Sequence, residues 1–183
     1  MHHIYHTEGI ILGSRNFGED GKYFYVFTRE LGMVTARASG VRKISSKLRY
    51  ILQDYSYVKI DLVQGRDFWR IGSAAPTGKL EDLSRNLEVF KIVSNIARLL
   101  RRLLPGEGSN EPLFLEILDG FSALEQVGSG GEMQNSEIII VLKVLHHLGY
   151  IGESKINELV SGVTERRGEI LALINQTLKE THL

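Results

Sequence analysis

The chain has 183 residues, 43% of them hydrophobic and 24% charged, a balance that excludes a disordered or collagen-like polypeptide and fits one domain or two small ones. Lys and Arg number 22, as do Asp and Glu, so the formal charge is zero; there is no cysteine, which excludes disulfides, cysteine-held zinc and thiol nucleophiles. The zero conceals an asymmetry: residues 1–75 carry 11 basic and 7 acidic side chains and residues 76–183 carry 11 and 15, so an anionic partner is expected on the front half.

The first 75 residues read as strands. Residues 8–13 are a short apolar run, followed by a loop from Ser14 to Gly21. Residues 22–28 (KYFYVFT) are aromatic and β-branched, and Leu31-Gly32 marks a turn. Residues 33–39 alternate, with Val34, Ala36 and Ala38 on one face and Thr35, Arg37 and Ser39 on the other, the period of a half-buried strand. Residues 55–63 alternate as well, residues 64–67 turn, and residues 68–73 return as a hairpin partner. Five short strands with a glycine at most corners predict a small closed barrel.

From Leu80 the period changes to three and four. Leu80, Leu83, Leu87, Phe90, Ile96 or Ala97, Leu100 and Leu103 predict one helix over 80–104, stopped by Pro105-Gly106. Pro112 suits the first turn of a second helix with Leu113, Phe114, Ile117, Leu118, Phe121 and Leu124 inside. Residues 128–131 (GSGG) read as a linker, residues 136–148 as a third helix ended by Gly149, residues 154–160 as a short helix, and residues 165–180 as a last one capped by Thr164. The fold class is α+β, a five-stranded barrel over 1–77 followed by an all-helical bundle over 78–183.

The chain lacks the signatures of common enzymes. There is no G-x-x-x-x-G-K-[ST] loop, no G-x-G-x-x-G after a strand, no H-E-x-x-H and no G-x-S-x-G, so no catalytic residue and no cofactor are expected. His146 and His147 are neighbours on a helix and point apart, which argues against a shared metal, and His2, His3 and His6 sit at the terminus. Glu19-Asp20 and Glu81-Asp82 read as surface charge. No apolar run approaches the roughly 20 residues of a membrane span, and no signal peptide is evident, so a soluble cytoplasmic protein is expected.

The clearest constellation is basic. Between residues 37 and 49 stand Arg37, Arg42, Lys43, Lys47 and Arg49, with Ser39, Gly40, Ser45 and Ser46 interleaved and no acid. Phosphates are bound by such cations, by hydroxyls and by free backbone N–H groups. Arg15 and Lys22 join them if the barrel brings the first loop alongside. Phe17, Tyr23, Tyr25, Tyr50, Tyr55 and Tyr57 lie close in sequence, and a cationic groove with stacking faces holds single strands at about 1–3 kcal/mol per base. The alternative is that the aromatics pack the barrel and the cations are a solvated loop. A second cluster, Arg98, Arg101 and Arg102, either offsets a helix dipole or docks an acidic peptide tail.

The order of several segments resembles the RecO family of bacterial recombination mediators: residues 5–12 (YHTEGIIL), Phe17-Gly18-Glu19, residues 27–32 (FTRELG), residues 39–43 (SGVRK), residues 46–49 (SKLR), Leu52-Gln53, Leu103-Leu104-Pro105, residues 110–114 (NEPLF) and Leu148-Gly149-Tyr150. The resemblance implies an N-terminal OB barrel followed by a helical domain, and a protein that binds single- and double-stranded DNA and anneals complementary strands. It implies work with RecR and with the C-terminal tail of single-strand-binding protein to load the recombinase RecA at gaps, in the cytoplasm at the nucleoid. It carries DNA binding onto Arg42, Lys43, Lys47 and Arg49, and further onto Arg15 and Arg37. Many members hold four zinc-binding cysteines after the Leu-Gly-Tyr element; here Gly152-Glu153-Ser154-Lys155 follow, and zinc is not carried over. Two other readings remain open: a helical adaptor that recruits partner proteins, and an RNA-binding OB protein.

Overall fold

A computed structural model describes residues 3–66, 68–104, 106–126 and 131–181. Five strands come first: β1 (Ile4–Phe17), β2 (Gly21–Thr28), β3 (Gly32–Ala38), β4 (Tyr57–Gln64) and β5 (Trp69–Pro76). A single-turn helix, α1 (Leu48–Ile51), lies between β3 and β4. Then follow α2 (Leu87–Leu103), α3 (Glu111–Gln126), α4 (Gly131–His147), α5 (Glu153–Ser161) and α6 (Arg167–Glu180).

The strands close in the order β1-β2-β3-β5-β4, with β1 pairing β4 to complete the ring, and β3 running parallel to β5. This is an OB-type barrel. Closure depends on the length of β1, whose first half pairs with β4 (Ile4↔Val63 to Ile10↔Tyr57) and whose second half pairs with β2 (Gly9↔Thr28 to Phe17↔Gly21). A register shift between Ile11 and Gly13 bends the strand from one partner to the other. The loop expected over residues 14–21 is therefore strand as far as Phe17, because β2 offers it a complete ladder.

Alternation sorts the barrel into two faces. Ile11, Phe24, Val26, Val34, Ala36, Val58, Ile60, Leu62 and Trp69 point inward and form one core. Ile10, Leu12, Phe27 and Tyr57 point outward yet are buried, because helices α2 and α3 cover them and the helical core is continuous with them. Phe27 and Tyr57 both meet Phe114 of α3, with ring centroids 5.5 and 6.1 Å apart. The Tyr57 hydroxyl donates to Glu8 at 2.7 Å, Arg29 bridges Glu8 and Glu111, and burial followed by the Glu8 carboxylate pushes the Tyr57 phenol above its ordinary value. Gly32 permits another close crossing: its φ is +73°, and a side chain there would collide with the Gly108 carbonyl.

The helical half differs from expectation at three points. The single helix expected over 80–104 is a short 3-10 turn (Leu83–Arg85) and then α2, whose first turn is capped by Asn86 accepting from the Glu88 and Val89 amides. With that start the buried stripe is Val89, Ile92, Val93, Ile96, Ala97, Leu100 and Leu103, while Leu87 is 84% and Phe90 38% exposed. Gly131 belongs to α4, which begins five residues before the expected Ser136; the rest of the expected linker lies outside the described residues. Arg166, not Thr164, flanks α6, and without a side-chain cap. Gly149 does end α4: its φ is +82° and the Tyr150 amide reaches back to Leu145. Among the described residues no helix is long and apolar enough to cross a membrane, and no three His, Asp or Glu side chains gather to hold a metal ion.

Candidate nucleic-acid interface

The outward face of β1, β2, β3 and β5 carries a row of residues set side by side by register. Arg15 pairs with Tyr23, Tyr23 with Arg37, and Arg37 with Arg70. The Arg15 guanidinium lies 5.0 Å from the Tyr23 ring centroid. Arg37 lies over Phe17 at 4.1 Å and within 5.9 Å of Phe68, and its Nε is buried with no hydrogen-bond partner among the described residues. Like charges placed opposite each other on a sheet repel. Among the described residues none of these three arginines has a carboxylate within ion-pair distance. Aromatic rings hold the guanidinium planes in place by cation–π contact.

Two residues along the strands, Gly13 pairs with Tyr25 and Tyr25 with Thr35. Here the barrel meets α2. Arg101 sits over Tyr25 at 3.8 Å, in space that a side chain at residue 13 would occupy: a Cβ there would lie 3.1 Å from its Nη1. Arg101, Arg98 and Arg102 line a hollow of about 550 Å³ with Tyr25, Met33 and Thr35. It adjoins a second hollow of about 470 Å³ that contains Arg15, Tyr23, Arg66 and Phe68, the two sharing Met33, Thr35 and Gly106. Glu107 also lines the second hollow, and it accepts from the indole of Trp69 at 2.7 Å. Arg102 donates to the Leu178 carbonyl of α6 at 3.0 Å, and Arg98 to the Asn95 side chain at 2.5 Å.

The other expected cations lie elsewhere. Lys22 follows the opposite face from Tyr23 and, with Asn16, Arg42, Arg49 and Gln53, lines a separate hollow of about 450 Å³ under the segment that carries α1. Lys22 reaches Ser14 Oγ at 3.5 Å, and Arg42 reaches the Gly18 carbonyl at 3.5 Å. Lys43 forms an ion pair with Asp20 at 3.1 Å; that contact, first of all its hydrogen bond, holds the Asp20 carboxyl below its usual range. Lys47 is exposed at the start of α1.

The cations read as one cradle in the sequence are thus divided between two sides of the β1–β2 ribbon. Arg15 and Arg37 stand on the outer face with Arg101; Lys22, Arg42 and Arg49 stand at the barrel's end. Arg66, Phe68 and Arg70 were not among the expected site residues. Alternation alone places Arg70 outward, between the inward Trp69 and Ile71, but its alignment with Arg37 depends on a pairing between strands 33 residues apart in sequence.

Residues 1–79 match the family model described as recombination protein O, N terminal. The chain is 31% identical over 150 residues to the DNA repair protein RecO of Heliobacterium modesticaldum, a match spanning 82% of this chain and 53% of that one. It is 30% identical over 147 residues to the protein of the same name from Pelotomaculum thermopropionicum, spanning 80% and 56%, and 29% identical over 148 residues to that of Desulfitobacterium hafniense, spanning 80% and 52%. The chain spans about half the length of the curated relatives it matches. The matched segment is the OB-type barrel with arginines ranged across its outer face, so over residues 1–79 this chain is similar to the N-terminal part of the RecO family.

Proposed function

We propose that this chain acts in DNA repair as a DNA-binding mediator: it holds single- and double-stranded DNA, promotes annealing of complementary strands and helps load the recombinase at gaps. The observation that carries this reading is the cross-strand row Arg15–Tyr23–Arg37–Arg70, three cations and a stacking ring on one open face. Two single strands repel through their phosphates. Cations that neutralise those phosphates release condensed counterions and lower that barrier, with no nucleotide consumed. A binding role rather than catalysis is the proposal. Arg101 on Tyr25 extends the same face onto α2, which favours reading Arg98, Arg101 and Arg102 as a continuation of the DNA contact over a peptide dock. The acidic tail of single-strand-binding protein and RecR are proposed partners on the strength of the resemblance to the RecO family.

The test is binding to a single-stranded oligonucleotide across a salt series, for the parent chain and for Arg15→Ala/Arg37→Ala/Arg70→Ala. Each lost phosphate contact should flatten the slope of log affinity against log salt by about 0.7, so the triple variant should lose roughly two units. An unchanged slope would remove the outer face from the interface. RNA of equal length, run alongside, tests the RNA-binding alternative: RNA bound more tightly than DNA would favour that reading.

A further inference from the structure

A cavity of about 570 Å³ opens between the barrel's β4 side and the start of the helical half, and the interface described above does not use it. That volume is typical of small-ligand sites. Its walls include Tyr50, Tyr55, Tyr57 and Phe90. Tyr50 is 70% and Phe90 38% exposed, and Tyr55 meets Phe90 edge-on at 5.1 Å. Among the described residues only two non-glycine residues have positive φ, Tyr55 at 72° and Leu80 at 60°, and both line this cavity. Such backbone is held only where the surroundings dictate it, and it gathers at ligand clamps. Tyr55 is held from both sides, its amide bonded to the Ile11 carbonyl at 2.7 Å and its ring against Phe90.

The cavity adjoins the cationic hollow at the barrel's end, the two sharing Lys22, Leu52 and Gln53. Charge divides them. The hollow is lined by Lys22, Arg42 and Arg49 with no acid. The cavity sets Asp54 and Glu81 against Lys22 and Lys79, and Asp54 is further engaged by the Ser14 hydroxyl at 2.9 Å. A phosphate therefore belongs in the hollow, and the neutral, flat, edge-polar part of the same nucleotide belongs in the cavity. There the rings offer stacking faces, and Gln53 and Glu81 offer groups for a base edge. An acid-rich peptide would meet both carboxylates and is the poorer fit.

We propose that this cavity receives an unstacked nucleobase of single-stranded DNA whose phosphate is held by Arg42, Arg49 and Lys22. The proposal rests on the DNA-binding reading and gives it a strand preference: a base held inside a duplex is not free to enter, so this site discriminates single strand from double strand where the outer face does not.

The test compares oligothymidylate with an abasic oligomer of equal length and phosphate charge, bound by the full chain and by Tyr50→Ala and Tyr50→Phe. Tyr50 is largely exposed, so its truncation leaves the fold intact. The parent chain should prefer the base-bearing strand by roughly fivefold or more. Tyr50→Ala should lose most of that preference while keeping the affinity and salt slope for the abasic strand, and Tyr50→Phe should retain it. A preference that survives Tyr50→Ala, or equal binding of both strands by the parent chain, overturns the cavity assignment and leaves the phosphate contacts standing. Binding of neither strand overturns the DNA reading itself. Displacement of oligothymidylate by an acidic, apolar-tipped peptide from the parent chain but not from Tyr50→Ala, or a self-association lost in that variant, would make the cavity a peptide dock or a contact between copies, and also overturns the proposal.

Discussion

Arg101 of α2 lies over Tyr25 of β2, its guanidinium carbon 3.8 Å from the ring centroid, in the gap left by Gly13 on β1. One side chain thus joins the helical half to the outer face of the barrel, and it brings a helix arginine into line with those of the strands. Arg101→Ala should weaken single-strand binding by about 1 kcal/mol, roughly fivefold, and lower the salt slope. Arg101→Lys keeps the charge but not the planar stack, so it should restore the salt slope and only part of the affinity. Fluorescence anisotropy of a labelled single strand reads both.

Lys43 of the loop is paired with the Asp20 carboxylate. Freeing it should add a phosphate contact. Asp20→Asn should therefore steepen the salt dependence by about 0.7 of a unit, and Lys43→Ala should cost more affinity on the Asp20→Asn background than on the parent. Equal losses on both backgrounds would show that the ion pair does not restrain Lys43 in the DNA complex.

Phe114 is fully buried between the helices and two outward barrel residues, Phe27 and Tyr57. Phe114→Ala should cost about 3–5 kcal/mol, since a large cavity opens where no neighbour collapses easily. The shared core also predicts that the two halves unfold together. Denaturation followed by Trp69 fluorescence, which reports the barrel, and by helical circular dichroism should give coincident midpoints in the parent chain. Separate midpoints would mean that the contact does not couple them.

Asp61 is held below its ordinary value of 3.8, first by the Ser73 hydroxyl at 2.5 Å and then by His6 at 2.6 Å. A carboxyl depressed in the folded state stabilises the protein above its unfolded value, and that contribution is lost as pH falls through the lower folded value. The site is partly exposed, so the effect should not exceed about 1 kcal/mol. The melting-temperature gap between the parent and Asp61→Asn should be constant near neutral pH and should close below the usual carboxylate range. A gap that persisted under acid would assign the effect to packing.

Much of the architecture is legible in the residues themselves. The alternation of residues 33–39 and 55–63, the three-and-four spacing after Leu80, and Gly149 as a helix stop are local properties, and local sterics and burial enforce them. The helix expected from Leu80 shows the limit of such reading. Leu80, Leu83, Leu87 and Phe90 have helical spacing, yet Leu80 takes a positive φ and Asn86 starts the helix afresh, because Leu80 and Leu83 are buried against the helical core and Leu87 is not.

The sequence alone determined that the front half is basic, that the segment from Arg37 to Arg49 is rich in cations without an acid, and that aromatic residues accompany them. Only the tertiary structure settled which cations face the same way. Barrel closure aligned Arg15, Tyr23, Arg37 and Arg70, and helix packing brought Arg101 onto Tyr25. The physical reason is that side-chain direction along a strand follows from a period of two, whereas register between strands is set by bulges, loop lengths and the demands of a common core, which no single segment contains.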